Sequence, residues 1–311
     1  MGNGSLARKP KMGAIDTDRT KRCLYARHDP AHCLAPGLFR SIRNSAPENL
    51  DITYVHGATT VRFLARGLLG AEHQRLLTAL VALAGIGGEI LSPAPTTEIG
   101  KALRELIAPA RGAQNANCIV TRASVRRILR ECGLTGGQDN IDRLRKLLID
   151  LGSVSIYFRT GRGRRRIEGM SHLLSWALDQ EADEIVVALN ARLTRTILGG
   201  QHTRINMEDL RALRGDVAQL IYHRLAGWLD PGETARVGID TLAGYVWPEP
   251  PSTAAAERKR RRRIRLALLE ISSLPGWGVH SGDVCTITRP AAPHVCVVSG
   301  THVRSVGDAP A

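Results

Sequence analysis

The sequence predicts a helix-rich α+β fold of two tandem winged-helix domains, on three observations. The first is the stretch Arg258-Lys259-Arg260-Arg261-Arg262-Arg263-Ile264-Arg265, in which seven of eight residues are cationic. Like-charge repulsion would leave such a run as a solvated tail. It continues instead into Ile264, Leu268 and Ile271 at helical spacing, with Ala267 beside them, so the helix has an apolar back to anchor in a core. The second is the order helix, turn, helix, strand, basic tip, strand between residues 118 and 174. The third is a weak internal repeat: the basic amphipathic segment beginning at Asp142 parallels the one beginning at Arg263, and each leads through glycine into a β-branched strand.

Taken in order, residues 1–25 are polar, basic and glycine-containing, which predicts a flexible arm. His28, His32, Cys23 and Cys33 lie close together, but their spacing fits no standard zinc pattern and Pro30 and Pro36 interrupt the segment. A docked structural segment is the expectation, and no metal or other cofactor is expected. Alternation around Ile52 and Tyr54, then Val61 and Phe63, predicts a hairpin over 50–64. Leu76, Leu77, Leu80, Val81 and Leu83 predict a helix closed by the glycines at 85–88. These follow a helix and lack a subsequent Lys-Ser/Thr, so they do not form a phosphate loop. A further helix is expected over 97–107.

A strand over 118–121 then leads to a helix with Val125, Ile128, Leu129 and Cys132, a turn at 133–137, and a second helix over 138–151. Strand 153–158, the loop 159–166 and a returning strand over 167–174 complete the first module. An acidic spacer at 179–184 separates it from a second. There a strand at 184–189, a short helix at 193–198, an extended 202–207 and a long helix over 208–229 precede a short helix at 240–246. The arginine-rich helix follows over 252–271, and strands around 277–279 and 285–288 form a second wing. The expected division is a 1–25 arm, an N-terminal winged-helix domain at 26–178, a C-terminal one at 179–290, and a tail at 291–311.

The formal net charge of +14, with 43 Lys+Arg against 29 Asp+Glu, favours a polyanionic partner. Aromatic residues total only 4%, which argues against single-strand binding by base stacking and leaves duplex DNA. A helical wheel centred on Ile264 and Leu268 turns Arg258, Lys259, Arg262 and Arg263 outward. Arg260 and Arg261 lean toward the protein, and Arg265 sits at the border. In the first module Gln138, Arg145 and Lys146 point outward beside Asp139 and Asp142, and Arg143 lies to one side. Arg162, Arg164, Arg165 and Arg166 belong to the wing tip. Any one of these arginines alone is as well read as a solvated surface charge; the clusters together point to DNA. No run is long and apolar enough to span a bilayer, no secretory pattern is present, and none of the six cysteines forms a C-x-x-C pair. A reduced, cytoplasmic setting is expected.

Several segments carry a resemblance: RHDPAHCLAPGLFR (27–40), GGQHTRI (199–205), RLAGWLDPG (224–232), IDTLAGYVWP (239–248), the arginine-rich helix, and ITRP (287–290). In this order, over roughly 26–290, the chain resembles the plasmid replication initiator protein C family of the IncQ type. The resemblance implies a bacterial protein that binds direct repeats (iterons) in a plasmid origin as double-stranded DNA. It further implies opening of an adjacent AT-rich region, a plasmid-encoded helicase and primase as partners, and self-association on repeated sites. Two other readings stand beside it. A winged-helix repressor of its own promoter would use the same surfaces. A nicking enzyme would need a metal-binding His-x-His near a tyrosine, and no such pair occurs among the ten histidines, so no enzymatic activity is expected.

Overall fold

The computed structural model describes residues 22–42, 49–57, 59–91, 94, 98, 101–103, 118–161, 167–179, 183–280, 282–291 and 304–305. The basic wing tip carrying Arg162, Arg164, Arg165 and Arg166 lies outside the described residues, as do most of the arm and the tail. Of the helix expected over 97–107, residues 98 and 101–103 are described and helical. The fold is mixed α/β.

Elements in chain order are β1 (Tyr25–His28), α1 (Pro30–Leu34), β2 (Leu50–His56), β3 (Thr59–Ala65), α2 (Ala71–Gly87), β4 (Glu89–Leu91) and β5 (Cys118–Ser124). Then come α3 (Val125–Glu131), α4 (Gln138–Gly152), β6 (Ser155–Thr160), β7 (Ile167–His172), β8 (Leu174–Asp179), β9 (Glu184–Leu189), α5 (Ala191–Ile197) and β10 (Thr203–Asn206). The chain continues with α6 (Met207–Ala212), α7 (Asp216–Trp228), β11 (Thr234–Gly238), α8 (Ile239–Val246), α9 (Ala254–Ser272), β12 (Gly278–His280) and β13 (Val284–Thr288). A two-residue β14 (Arg304–Ser305) pairs in parallel with β4, inside the stretch expected to be a patternless tail.

Two units share one order: helix, strand, helix, turn, helix, antiparallel hairpin. The first runs α2, β5, α3, α4, β6–β7, with β4 and the helical residues 98 and 101–103 inserted between α2 and β5; the second runs α7, β11, α8, α9, β12–β13. In the second, the strand before the helix pair joins the hairpin, giving the sheet order β11-β13-β12. The first departs from this. Its β5 pairs with β4 and β9, while its hairpin is extended by the leading hairpin into a four-stranded sheet, β2-β3-β6-β7.

The third helices of the two units correspond with a shift of 120 residues. Leu144, Leu147, Leu148 and Leu151 are the buried set of α4, and Ile264, Ala267, Leu268 and Ile271 are that of α9. This corrects by one residue the register in which Asp142 and Arg263 start together. The correspondence extends to the braces. The Asp150 carboxylate accepts from His73 Nε2 at 3.1 Å, and His73 Nδ1 accepts the Gly70 N–H at the start of α2. At the equivalent position Glu270 accepts the N–H groups of Arg214 and Gly215, just ahead of α7. In both units an acid near the end of the third helix therefore holds the start of the first helix, where unsatisfied N–H groups and the helix dipole favour negative charge.

Two other expectations are corrected. The long helix over 208–229 is two helices, α6 and α7, interrupted at Leu213-Arg214-Gly215. At this break the backbone N–H groups of Arg214 and Gly215 are taken by Glu270 of α9, a tertiary contact that the sequence pattern does not register. Asp179 and Glu184, at the two ends of the acidic stretch, pair with each other across β8 and β9, where a spacer between domains is expected. A division at 178/179 thus falls at the end of β8, inside a sheet. One hydrophobic core runs through both units, from Leu76 and Leu80 on α2 to Ile221 and Leu225 on α7 and Ile264 and Leu268 on α9.

The first helices pack on each other through buried polar contacts. Neutral His223 donates from Nδ1 to the Gln219 carbonyl and accepts at Nε2 from the Thr78 hydroxyl, 3.0 Å away, while Arg75 reaches Gln219 Oε1 at 3.0 Å. Burial pushes His223 down to about 4, and burial together with the neighbouring His32 and His223 pushes His28 down to about 3. Both are neutral in the fold and take up a proton on unfolding below about 6.5, so the stability they carry is complete above that pH and falls as pH drops toward 4. Each contributes a slope of about 1.4 kcal/mol per pH unit in this window. Urea unfolding between pH 6.5 and 4.5 should show that slope, and His28→Asn should lower it by about one histidine's share; a slope unchanged by the substitution would contradict the assignment.

Candidate nucleic-acid interface

Thr253 starts α9 by accepting the Ala256 N–H at 3.1 Å, and Glu257 occupies the first turn, where the helix dipole favours an acid. With Ile264, Ala267, Leu268 and Ile271 in the core, the exposed face reads Arg258, Lys259, Arg262, Arg265, Leu266 and Leu269. Among the described residues, Arg258, Lys259 and Arg262 form no ion pair. The remaining cations of the run are held by the protein. Arg261 makes paired 2.6 Å hydrogen bonds to Asp240 of α8 and a 3.0 Å contact to Glu257, so these carboxylates raise its pKa further. Arg260 donates to the Glu249 carbonyl at 2.6 Å, and its guanidinium lies 5.6 Å from the Trp247 ring centre. Arg263, expected outward, is half-buried with its guanidinium 5.1 Å from the same ring. Arg265 reaches Asp283, on the turn of the β12–β13 hairpin, at 3.4 Å.

On α4, the exposed face carries Gln138, Asp139, Asp142, Arg143, Arg145, Lys146 and Ile149. Gln138 is tied to Asp142 at 3.0 Å, and Arg145 stands 3.9 Å from the same carboxylate. Arg143 is engaged by both carboxylate oxygens of Glu72 on α2. The acids partly cancel this face, which leaves Lys146 and Arg145 as its cations. At corresponding positions α9 has Arg258, Lys259 and Arg262 where α4 has Gln138, Asp139 and Asp142, so of the two helices α9 carries the denser positive charge.

The sequence reading missed the residues that sort these arginines: Asp240, Trp247 and Glu249 for the second unit, Glu72 for the first. Three of them lie in or beside the IDTLAGYVWP segment. The other quoted motifs also serve as braces. Asp29 caps α1 by accepting the Ala31 N–H at 2.9 Å and binds the Arg192 guanidinium through both oxygens. Arg224 stacks 3.8 Å from the Tyr245 ring centre and donates to the Leu34 carbonyl. Arg289 of ITRP donates to the carbonyls of Ala226, Leu229 and Arg204. Arg40 binds Glu249. The leading segment is thereby stitched to the second unit. Among the described residues no cluster of His, Cys, Asp and Glu is arranged to hold a metal, and no helix is long and apolar enough to cross a membrane.

A scaffold that presents a dense cationic helix face beside a hairpin is suited to a polyanionic partner. Residues 21–291 match the model of the Replication protein C (RepC) family, and the chain belongs to that family. No curated protein sequence matches it. Its fold is similar to the crystal structure of domains 2 and 3 of RctB, with a TM-score of 0.51 at 9% identity, covering 85% of this chain and 98% of that one. A second RctB structure of domains 2–3 gives a TM-score of 0.49 at 9% identity, over 85% and 97% of the two chains.

Proposed function

We propose that this protein is an initiator of plasmid replication that binds direct repeats in the origin as double-stranded DNA through two winged-helix modules. The observation that carries the reading is the second unit. Its helix, strand, helix, turn, helix, hairpin order and its β11-β13-β12 sheet fit a winged helix, with α9 as the helix that enters the major groove. The first unit, α2 to β7, serves as a modified counterpart, its hairpin enlarged by β2–β3. The wing hairpins grip the flanking backbone, where contacts fix register without reading sequence. Protomers arrayed on successive repeats then strain the neighbouring AT-rich duplex, where stacking is weakest, and expose it to a helicase and primase.

Because α2 packs on α7 through Arg75, Thr78, Gln219 and His223, the two modules are expected to move as one body, which gives a specific test on repeat DNA. Footprinting should show one protomer protecting two successive major-groove segments. Inserting half a helical turn between these segments should weaken binding at least about tenfold, and inserting a full turn of about 10 base pairs should not restore it. Restoration by the full turn would mean that the modules are flexibly tethered. Absence of any protection beyond nonspecific coating would remove the initiator reading.

A further inference from the structure

Two residues on the exposed face of α9 are not accounted for by charge. Leu266 and Leu269 are 55% and 67% exposed, on the same side as Arg258, Arg262 and Arg265. The corresponding face of α4 carries Ile149, 59% exposed, at the position 120 residues before Leu269. A helix face selected only for solvation or phosphate attraction has no use for large aliphatic side chains. A face that docks on another protein would in turn not be crowded with uncompensated guanidinium groups. A partner that is both strongly anionic and studded with methyl groups satisfies both halves. In duplex DNA the major groove has this character, because each thymine presents a 5-methyl group between the phosphate walls.

We propose that Leu266 and Leu269 are specificity-determining residues that pack on thymine methyl groups in the major groove, flanked by Arg258, Lys259 and Arg262 on phosphates or guanine edges. Ile149 supplies the equivalent contact from α4. This rests on the assignment of α9 as the groove-entering helix. The preferred site is thus thymine-bearing opposite the C-terminal half of α9. Because the leucines are exposed in the free protein, their replacement leaves the core intact.

The test uses the full-length protein and a duplex obtained by binding-site selection, made once with thymine and once with deoxyuridine in its place, which removes the methyl groups alone. Burying one methyl group is worth about fourfold in affinity, so wild type should lose roughly tenfold on the deoxyuridine duplex. The double variant Leu266→Ala/Leu269→Ala should lose a similar factor on the thymine duplex and nothing more on the deoxyuridine duplex. Wild type binding both duplexes equally would overturn the proposal, as would a double variant that still senses the full methyl effect. So would a change of oligomeric state in that variant with methyl sensing retained, since the leucines would then contact a second copy. Arg262→Ala separates the two levels of inference: loss on both duplexes with no methyl effect sinks only the leucine contacts. No loss on either sinks the placement of α9 in the groove.

Discussion

Replacing Arg258, Lys259 and Arg262 together by alanine is expected to weaken repeat-DNA binding by more than about 100-fold while leaving the folded state intact. Each cation that reads a base is worth about 1–3 kcal/mol, and a tenfold change in affinity corresponds to about 1.4 kcal/mol. A cation that only neutralises a phosphate should reduce the slope of log affinity against log salt by about 0.9. If all three are phosphate contacts, the slope falls by roughly 2.7 and the loss is similar on all sequences. If Arg262 reads a base, its single alanine variant should relax specificity at one position. Arg261 is the internal control. It is committed to Asp240 and Glu257 across an exposed surface, so Arg261→Ala should barely change stability and should lower DNA affinity far less than Arg262→Ala. Equal losses at positions 261 and 262 would show that bulk charge, and not the exposed face, governs binding.

That contrast marks how far the sequence could be read. The amphipathic period of 254–272 and of 138–152 is local, so both third helices, the turn between α3 and α4, and the hairpins at 50–65 and 278–288 were legible within a few residues. The partners of the arginines were not. A wheel places Arg263 outward because it knows only its own helix; Trp247 arrives from the preceding turn and takes it. Arg143 meets Glu72 from 71 residues away in the chain. Strand pairing failed for the same reason. Nothing local says that β3 pairs with β6, or that Asp179 pairs with Glu184. At the break between α6 and α7 the Gly215 N–H is taken by Glu270, a tertiary contact that an otherwise continuous helical period does not register. The 120-residue correspondence became definite only when burial fixed the register.

The largest stability effect should come from the leading segment rather than from any helix. Asp29 is 1% exposed, accepts the Ala31 N–H, and holds Arg192 through both oxygens, with His32 Nδ1 3.6 Å away. Removing one member of a buried ion pair leaves the other uncompensated, and Asp29→Ala is therefore expected to cost about 3–5 kcal/mol in urea unfolding at pH 7. The exposed pair Asp51–Arg62, although equally bidentate, is screened by solvent and should contribute far less. Burial alone would raise the Asp29 pKa, but the adjacent His32 and the Arg192 guanidinium outweigh it and hold the carboxyl well below the usual carboxylate range. A depressed carboxylate contributes stability that is complete above its unfolded value of about 3.8 and is lost as pH falls below it. The penalty of Asp29→Ala should accordingly be constant from pH 7 to about 5 and shrink below about 4, a window distinct from that of His28 and His223. Because Asp29 anchors the segment that Arg40 ties to Glu249 beside α9, the variant should also soften the placement of α9, the helix proposed to meet DNA. Its loss of DNA affinity should then be recovered as temperature is lowered, whereas the loss in the triple variant at positions 258, 259 and 262 should persist. A penalty below about 1 kcal/mol, or one that does not vary down to pH 3, would show that the segment is held by its apolar contacts alone.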